Sequence, residues 1–198
     1  MIAIMDYGVG NLGSVLNAFK YLGYDAKITS NKEEIINADK VVFPGVGAFD
    51  HAMKCFKEKG FDEVIKALLE KQTPILGICV GMQMLFEYSY EYGKHKGLGI
   101  LKGKIIKFDE KNDKVPQIGW NQIEIVNKNK LFEGINDEYV YFVHSYHVDE
   151  SEYAIAYTTY AGVRYPSAIN YKNIYATQFH PEKSGDIGLK ILKNFGEL

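Results

Sequence analysis

A cysteine held between two glycines, Gly77-Ile-Cys79-Val-Gly81, is the stretch of this 198-residue chain whose residue types point most directly to chemistry. Before it, Ile75 to Ile78 reads as a buried strand; after it, Met82, Leu85 and Phe86 repeat at the spacing of a helix face. A side chain on so sharp a strand-to-helix turn sits on strained backbone, and glycines two before and two after relieve the crowding, as in the nucleophile elbow of hydrolases. The helix that follows aims its unpaired N–H groups and positive dipole end at the sulfur, which favours the thiolate, the nucleophilic form. On this stretch alone a second reading stands beside the first: Cys79 as a small buried residue among packing glycines.

A cysteine nucleophile needs a base to take its proton and return it to the leaving group, and the base needs a partner to orient it. Gln178-Phe-His180-Pro-Glu182 offers both. In an extended segment residues two apart project to the same side, so the Glu182 carboxylate can approach the His180 ring. Pro181 fixes its own torsion and pushes His180 toward the β region. The plain alternative is a surface His and Glu at a strand-to-helix turn. His51 and His95 lack an acid arranged in this way, and His144-Ser145-Tyr146-His147, which follows a buried strand, reads as a binding stretch. The His180-Glu182 pair shifts the reading of Cys79 toward a thiolate nucleophile.

The first half of the chain alternates strand and helix: Met1–Met5, a helix through Leu16, Phe19 and Leu22, a strand at Asp25–Thr29, a short helix at Lys32–Asn37, and a strand at Lys40–Phe43. Ser30 or Asn31 is the expected cap of the short helix. Helical positions from Met53 to Leu69, split at Gly60, lead into the Cys79 strand. Such an order predicts a parallel sheet with right-handed crossovers. The loop Pro44-Gly45-Val46-Gly47 falls at a strand's carboxyl end, where open α/β sheets place ligands, and its glycines allow backbone N–H groups to face an oxyanion. A plain turn is the alternative. The second half carries short β-branched and aromatic runs, at 103–108, 122–126, 139–143, 154–157, 168–171 and 174–179, which read as mostly antiparallel strands added to the parallel core. A last helix from about Gly185 carries Ile187, Ile191, Leu192 and Phe195. The fold class expected is α/β, a mostly parallel central sheet flanked by helices with added antiparallel strands, in a single domain over 1–198.

Gly8, Gly10 and Gly13 spell G-x-G-x-x-G after the first strand, but the second strand ends in Thr29-Ser-Asn31 with no acid for a ribose hydroxyl. The expectation is a tight turn, with a nucleotide-binding module as the competing class. Apolar residues make up 46% and charged residues 24%, the balance of a globular protein, and the net charge of −2 leaves no footprint for nucleic acid. Two cysteines are too few for a disulfide framework and too far apart for a paired-cysteine metal site, so no metal and no cofactor are expected. No segment has the length of a membrane span or the layout of a signal peptide, which predicts a cytoplasmic protein.

The elbow, the loop at Pro44 and His180-Pro-Glu182 in this order resemble the class I, triad-type glutamine amidotransferases over nearly the whole chain. Within that family the chain is similar to the glutaminase subunits of imidazole glycerol phosphate synthase, on Asp6-Tyr-Gly-Val-Gly-Asn-Leu12, Pro44-Gly-Val-Gly-Ala-Phe49, Pro116-Gln-Ile-Gly-Trp-Asn121 and Phe142-Val-His-Ser-Tyr146. Other amidotransferases tend to carry a third glycine where Val46 stands. The resemblance implies glutamine as substrate, Cys79, His180 and Glu182 as the triad, and an oxyanion hole from Val80 N–H with a donor among Gly45, Val46 and Gly47. It implies glutamine contacts at Gln83, Glu91, Ser145 and Tyr146. It further implies a (β/α)8 cyclase subunit, in a heterodimer, that receives the ammonia for histidine biosynthesis, with Asn11, Trp120, Tyr141 and Lys183 at or near that interface. Trp120 as a core aromatic, a glutaminase serving pyridoxal phosphate synthesis, and a noncatalytic partner subunit are the alternatives.

Overall fold

The computed structural model covers residues 1–198. Its first half follows the expected alternation: β1 (Ile2–Met5), α1 (Leu12–Tyr21), β2 (Ala26–Thr29), α2 (Lys32–Ile36), β3 (Lys40–Gly45), α3 (Phe49–Glu58), α4 (Asp62–Glu70), β4 (Ile75–Cys79) and α5 (Val80–Met84). The cap of α2 is Asn31, whose side chain accepts from the Glu33 and Glu34 N–H groups. The second half is β5 (Phe86–Ser89), β6 (His95–Lys96), β7 (Leu101–Lys107), β8 (Gln117–Gln122), β9 (Glu124–Ile125), β10 (Tyr139–His144), β11 (Tyr146–Val148), β12 (Ala154–Tyr160), β13 (Val163–Tyr171), β14 (Ile174–Thr177) and α6 (Gly185–Gly196).

The central sheet runs β2-β1-β3-β4-β14-β13-β12-β9. From β2 to β14 neighbouring strands are parallel, and from β14 onward they are antiparallel. Strands β3, β4 and β14 are therefore centred in the sheet and nearly wholly apolar, as strands covered on both faces must be. A single cluster of 54 buried residues reaches from Ile2 to Phe195. The aromatic set Tyr7, Phe43, Phe56 and Phe61 ties β3 to α3 and α4 within it.

This topology explains how residues about a hundred positions apart meet. β14 pairs with β4 in parallel register, Thr177 opposite Ile78. One step further along both chains, Gln178 arrives beside Cys79, and His180 follows. The loops after β1 and β3 open at the same carboxyl edge, flanking the switch point of the strand order, where such sheets bind ligands.

Three expectations need correction. The helix after Cys79 stops at Met84, and Phe86 begins β5. The strand placed at 122–126 lies instead mainly at Gln117–Gln122, with Glu124–Ile125 as a separate short strand. The added strands do not all join the central sheet: β8 and β10 form a hairpin-like pair, and β11-β7-β5-β6 form a third sheet.

Candidate active site

Cys79 ends β4 with φ 56° and ψ −111°, a conformation that costs a non-glycine residue about 1–3 kcal/mol. The backbone turns there because α5 packs directly on the sheet. A Cβ on Gly81 would stand 1.9 Å from the Phe43 carbonyl oxygen, and one on Gly77 would stand 3.1 Å from the Ala176 Cβ. The flanking glycines thus serve close approach, and the strain falls on Cys79 itself. Val80 heads α5, where the first N–H groups have no intrahelical acceptor.

His180 Nδ1 bonds the Glu182 Oε1 at 2.8 Å, and both side chains are nearly inaccessible. Chain and side chain hold the pair in place. Pro181 opens a 3-10 turn, Pro181–Lys183, that folds Glu182 back under the ring. The His180 N–H donates to the Tyr141 carbonyl at 2.9 Å, the Tyr141 N–H donates to Ser184 Oγ at 2.9 Å, and that hydroxyl donates to the His180 carbonyl at 2.6 Å. His180 Nε2 is buried and has no hydrogen-bond partner, the condition of a base facing a reaction site. Burial alone would push His180 down. A thiolate at Cys79, with the Glu182 carboxylate, outweighs it and raises the imidazole from 6.5 to about 10. Glu182 Oε2 is also buried without a partner, which leaves the His180 ring as the carboxyl's hydrogen-bond contact.

Cys79 and His180 open onto a pocket of about 480 Å³, within the roughly 300–1,000 Å³ of small-molecule sites. Of the other residues singled out in the sequence, Val46, Gly47, Val80, Gln83, Glu91, Ser145 and Tyr146 line it, as do Asn11 and Lys183. Gly45 lies behind the wall, paired with Cys79 at the end of β3, and Glu182 lies behind His180. Trp120 and Tyr141 sit outside the pocket, paired across β8 and β10 with rings 6.3 Å apart, and Lys183 reaches over the Tyr141 ring. Trp120 is 56% exposed, so it is not a core residue.

Glu91 accepts from the Phe49 N–H at 2.7 Å, at the start of α3. Burial raises its carboxyl above the usual range, against the pull of that N–H. The loop carrying Val46 and Gly47 is braced at its root by the buried Tyr7 hydroxyl, which donates to the Pro44 carbonyl at 2.6 Å. Gly10, from the glycine-rich turn, lines the same pocket beside Asn11.

Of the stretch read as binding, His144 lines the pocket and His147 does not. His144 is buried and pushed down to about 3 by desolvation, so it is neutral and cannot serve as a cationic acid; its Nδ1 bonds the Tyr146 carbonyl at 2.8 Å. His147 stacks on Phe108 at 4.4 Å, and His51 is exposed. No group of three or more His, Cys, Asp or Glu is placed to hold a metal ion. No helix is long and apolar enough to cross a membrane. Three contacts were not legible as site features in the sequence: Glu91 to Phe49, Tyr7 to Pro44, and Gln178 to Cys79. For the last, adjacency to the Phe-His180 motif was the available signal.

Known proteins resemble this chain over its full length. A family model described as glutamine amidotransferase class-I matches residues 3–197. The chain is 51% identical over 201 residues to the imidazole glycerol phosphate synthase subunit HisH of Caldanaerobacter subterraneus subsp. tengcongensis, covering all of this chain and 98% of that one. It is 50% identical over 200 residues to the subunit of the same name from Methanocaldococcus jannaschii, covering both completely. Among solved structures, a glutamine amidotransferase superposes with TM-score 0.75 at 20% identity, covering 98% of each chain. PurLQS from Thermotoga maritima superposes with TM-score 0.76 at 16% identity, covering 99% of this chain and 97% of that one. At those identities the two superpositions establish the fold. By its family match and by full-length relatives at about half identity, the chain belongs to the class I glutamine amidotransferases, among the HisH subunits of imidazole glycerol phosphate synthase.

Proposed function

We propose that Cys79, His180 and Glu182 hydrolyse glutamine to glutamate and ammonia, in one domain spanning 1–198, and that the ammonia passes to a (β/α)8 cyclase subunit bound as a heterodimer. The observation that carries this reading is the buried 2.8 Å His180–Glu182 pair, its free Nε2 beside Cys79 in one pocket. The Cys79 thiolate attacks the side-chain amide carbon of glutamine. The Val80 N–H and a donor from the Gly45-Val46-Gly47 segment hold the resulting oxyanion; one such donor is typically worth about 3 kcal/mol of barrier. Collapse of the tetrahedral species breaks the C–N bond, and the His180 proton leaves with ammonia. His180, now neutral, takes a proton from water, whose oxygen attacks the thioester and releases glutamate. Glu91, whose carboxylate lines the pocket at the start of α3, and Gln83, Ser145 and Tyr146, which line it too, hold the rest of the glutamine.

Free ammonia in neutral water is mostly ammonium and no nucleophile, which favours direct delivery to an acceptor. The face for that acceptor is the outward side of the β8–β10 pair. Ile118, Trp120 and Tyr139 lie on it and are more than half exposed, with Asn11, Tyr141 and Lys183 joining it to the pocket mouth. The free thiols at Cys55 and Cys79 fit a reducing cytoplasm.

The test is ammonia release from glutamine by the isolated chain and by the chain with the cyclase subunit and its ligand. Weak release alone and strong release with the partner is expected. High turnover by the isolated chain, indifferent to the partner, would overturn the delivery reading. Replacing Trp120 by Ala should weaken association by roughly 30-fold, ~2 kcal/mol, if it is a central anchor, as calorimetric titration of the partner would show. An unchanged affinity would move the interface elsewhere.

The His180 shift sets a pH dependence. The imidazolium is required for ammonia to leave, so activity should fall as pH rises through about 10. Glu182 is one of the groups raising that value, so Glu182→Gln should move the alkaline limb of kcat/KM to lower pH. The same sign governs folding: the stabilisation that Cys79 and then Glu182 give the imidazolium is present below about 6.5 and is lost as pH climbs through about 10. An alkaline limb that stays in place in the variant would remove Glu182 from the role assigned to it.

A further inference from the structure

We propose that Gln178 is a further catalytic residue, whose carboxamide N–H stabilises the Cys79 thiolate, and that Gln83 is the positioning residue that holds it in that orientation. The inference rests on the reading of Cys79 as the nucleophile. Gln178 Nε2 lies 3.7 Å from Cys79 Sγ, in reach of a sulfur acceptor, whose radius exceeds that of oxygen. The Gln178 side chain is fully buried and does not line the pocket, so it touches the sulfur without competing for the substrate.

The direction of its amide is fixed by a chain of contacts that ends on the backbone. The Tyr146 carbonyl can only accept, and Gln83 Nε2 donates to it at 2.9 Å. The same nitrogen stands 3.0 Å from Gln178 Oε1, so Gln178 must present oxygen to Gln83 and its N–H to the sulfur. His144 Nδ1 donates to the same Tyr146 carbonyl, which fixes that acceptor from a second side. The parallel register of β14 on β4 delivers Gln178 to this place. A hydrogen bond to an ionised acceptor is stronger than one to a neutral acceptor, so Gln178 favours thiolate over thiol. It moves no proton: the Cys79 proton goes to His180 Nε2. With its nitrogen occupied twice, Gln83 keeps its oxygen free toward the pocket it lines.

The experiment follows the rate of alkylation by iodoacetamide against pH in the synthase assembled with its partner, by mass spectrometry of the Cys79 peptide, with Cys55 as internal control. Gln178→Met conserves volume and cannot donate. Its Cys79 profile should shift upward by about one pH unit, so that labelling on the acid side of the midpoint slows about tenfold. The kcat for glutamine should fall with it while KM is held. Gln83→Met should shift the profile the same way and also raise KM. A wild-type Cys79 profile in Gln178→Met overturns the proposal; if near-UV circular dichroism shows that variant unfolded, an unshifted profile in Gln83→Met overturns it instead. Glutamine hydrolysis that survives Cys79→Ser would overturn the nucleophile reading itself, which labelling in the Gln178 variant does not test.

Discussion

Replacing Cys79 by alanine is expected to lower glutamine-dependent ammonia production by the assembled synthase about 10,000-fold or more, while synthesis fed with ammonium salt continues at the unsubstituted rate. The two halves of the result follow from different parts of the molecule. Removing the sulfur removes the atom that bonds to the amide carbon, and neither Val80 nor the Gly45–Gly47 segment offers another nucleophile. The substitution itself is small, at a residue 4% exposed on a turn fixed by its neighbours, so the exposed surface at Trp120 is left as it was. Ammonia supplied from solution then bypasses this chain. Measuring both routes on one preparation decides the matter, since loss of both would make Cys79 a structural residue.

The second large effect is on stability. Gly81→Ala is expected to destabilise the chain by about 3 kcal/mol or more, roughly 10 °C in Tm, because the added methyl meets the Phe43 carbonyl oxygen at 1.9 Å. That neighbour is backbone of a central strand and cannot rotate aside. Relief requires α5 to lift from β3, which also displaces the Val80 N–H. Gly13→Ala supplies the contrast: the position is exposed in α1, has no positive φ and meets nothing within 4 Å. Helix propensity there should stabilise by up to about 1 kcal/mol. Thermal melts of the two variants moving together would mean that close approach is not what Gly81 serves.

The elbow and the His-Pro-Glu turn were legible because each is local: glycine spacing around Cys79, and a proline that sets the backbone between His180 and Glu182. The length of α5 was not local. Met82, Leu85 and Phe86 have helix spacing, yet the carbonyls of Met84, Leu85 and Phe86 are taken by N–H groups from Leu98 to Leu101. A segment more than ten residues downstream thus outcompetes the next helical turn. β8 was displaced in the sequence reading for a different reason. Its outward face carries Ile118 and Trp120, reversing the pattern of a strand whose apolar side is buried, while the more conventional run at 122–126 drew the assignment. Gln178 stands in a motif that was read for its histidine. Its contact with sulfur depends on β14 lying beside β4, a tertiary pairing that local spacing does not encode.

The three hydrogen bonds among Tyr141, His180 and Ser184 have a mechanical meaning. Tyr141 faces Trp120 across the β8–β10 pair, so that strand pair and the base are tied together without an intervening segment. Whatever holds Tyr141 in place therefore also holds the main chain of His180. Across the pocket the Tyr7 hydroxyl clamps the Pro44 carbonyl, and the first residues beyond the end of β3 are Val46 and Gly47. The pocket thus carries its base on a wall bonded at both main-chain groups of His180, and Val46 and Gly47 follow directly from a clamped strand end.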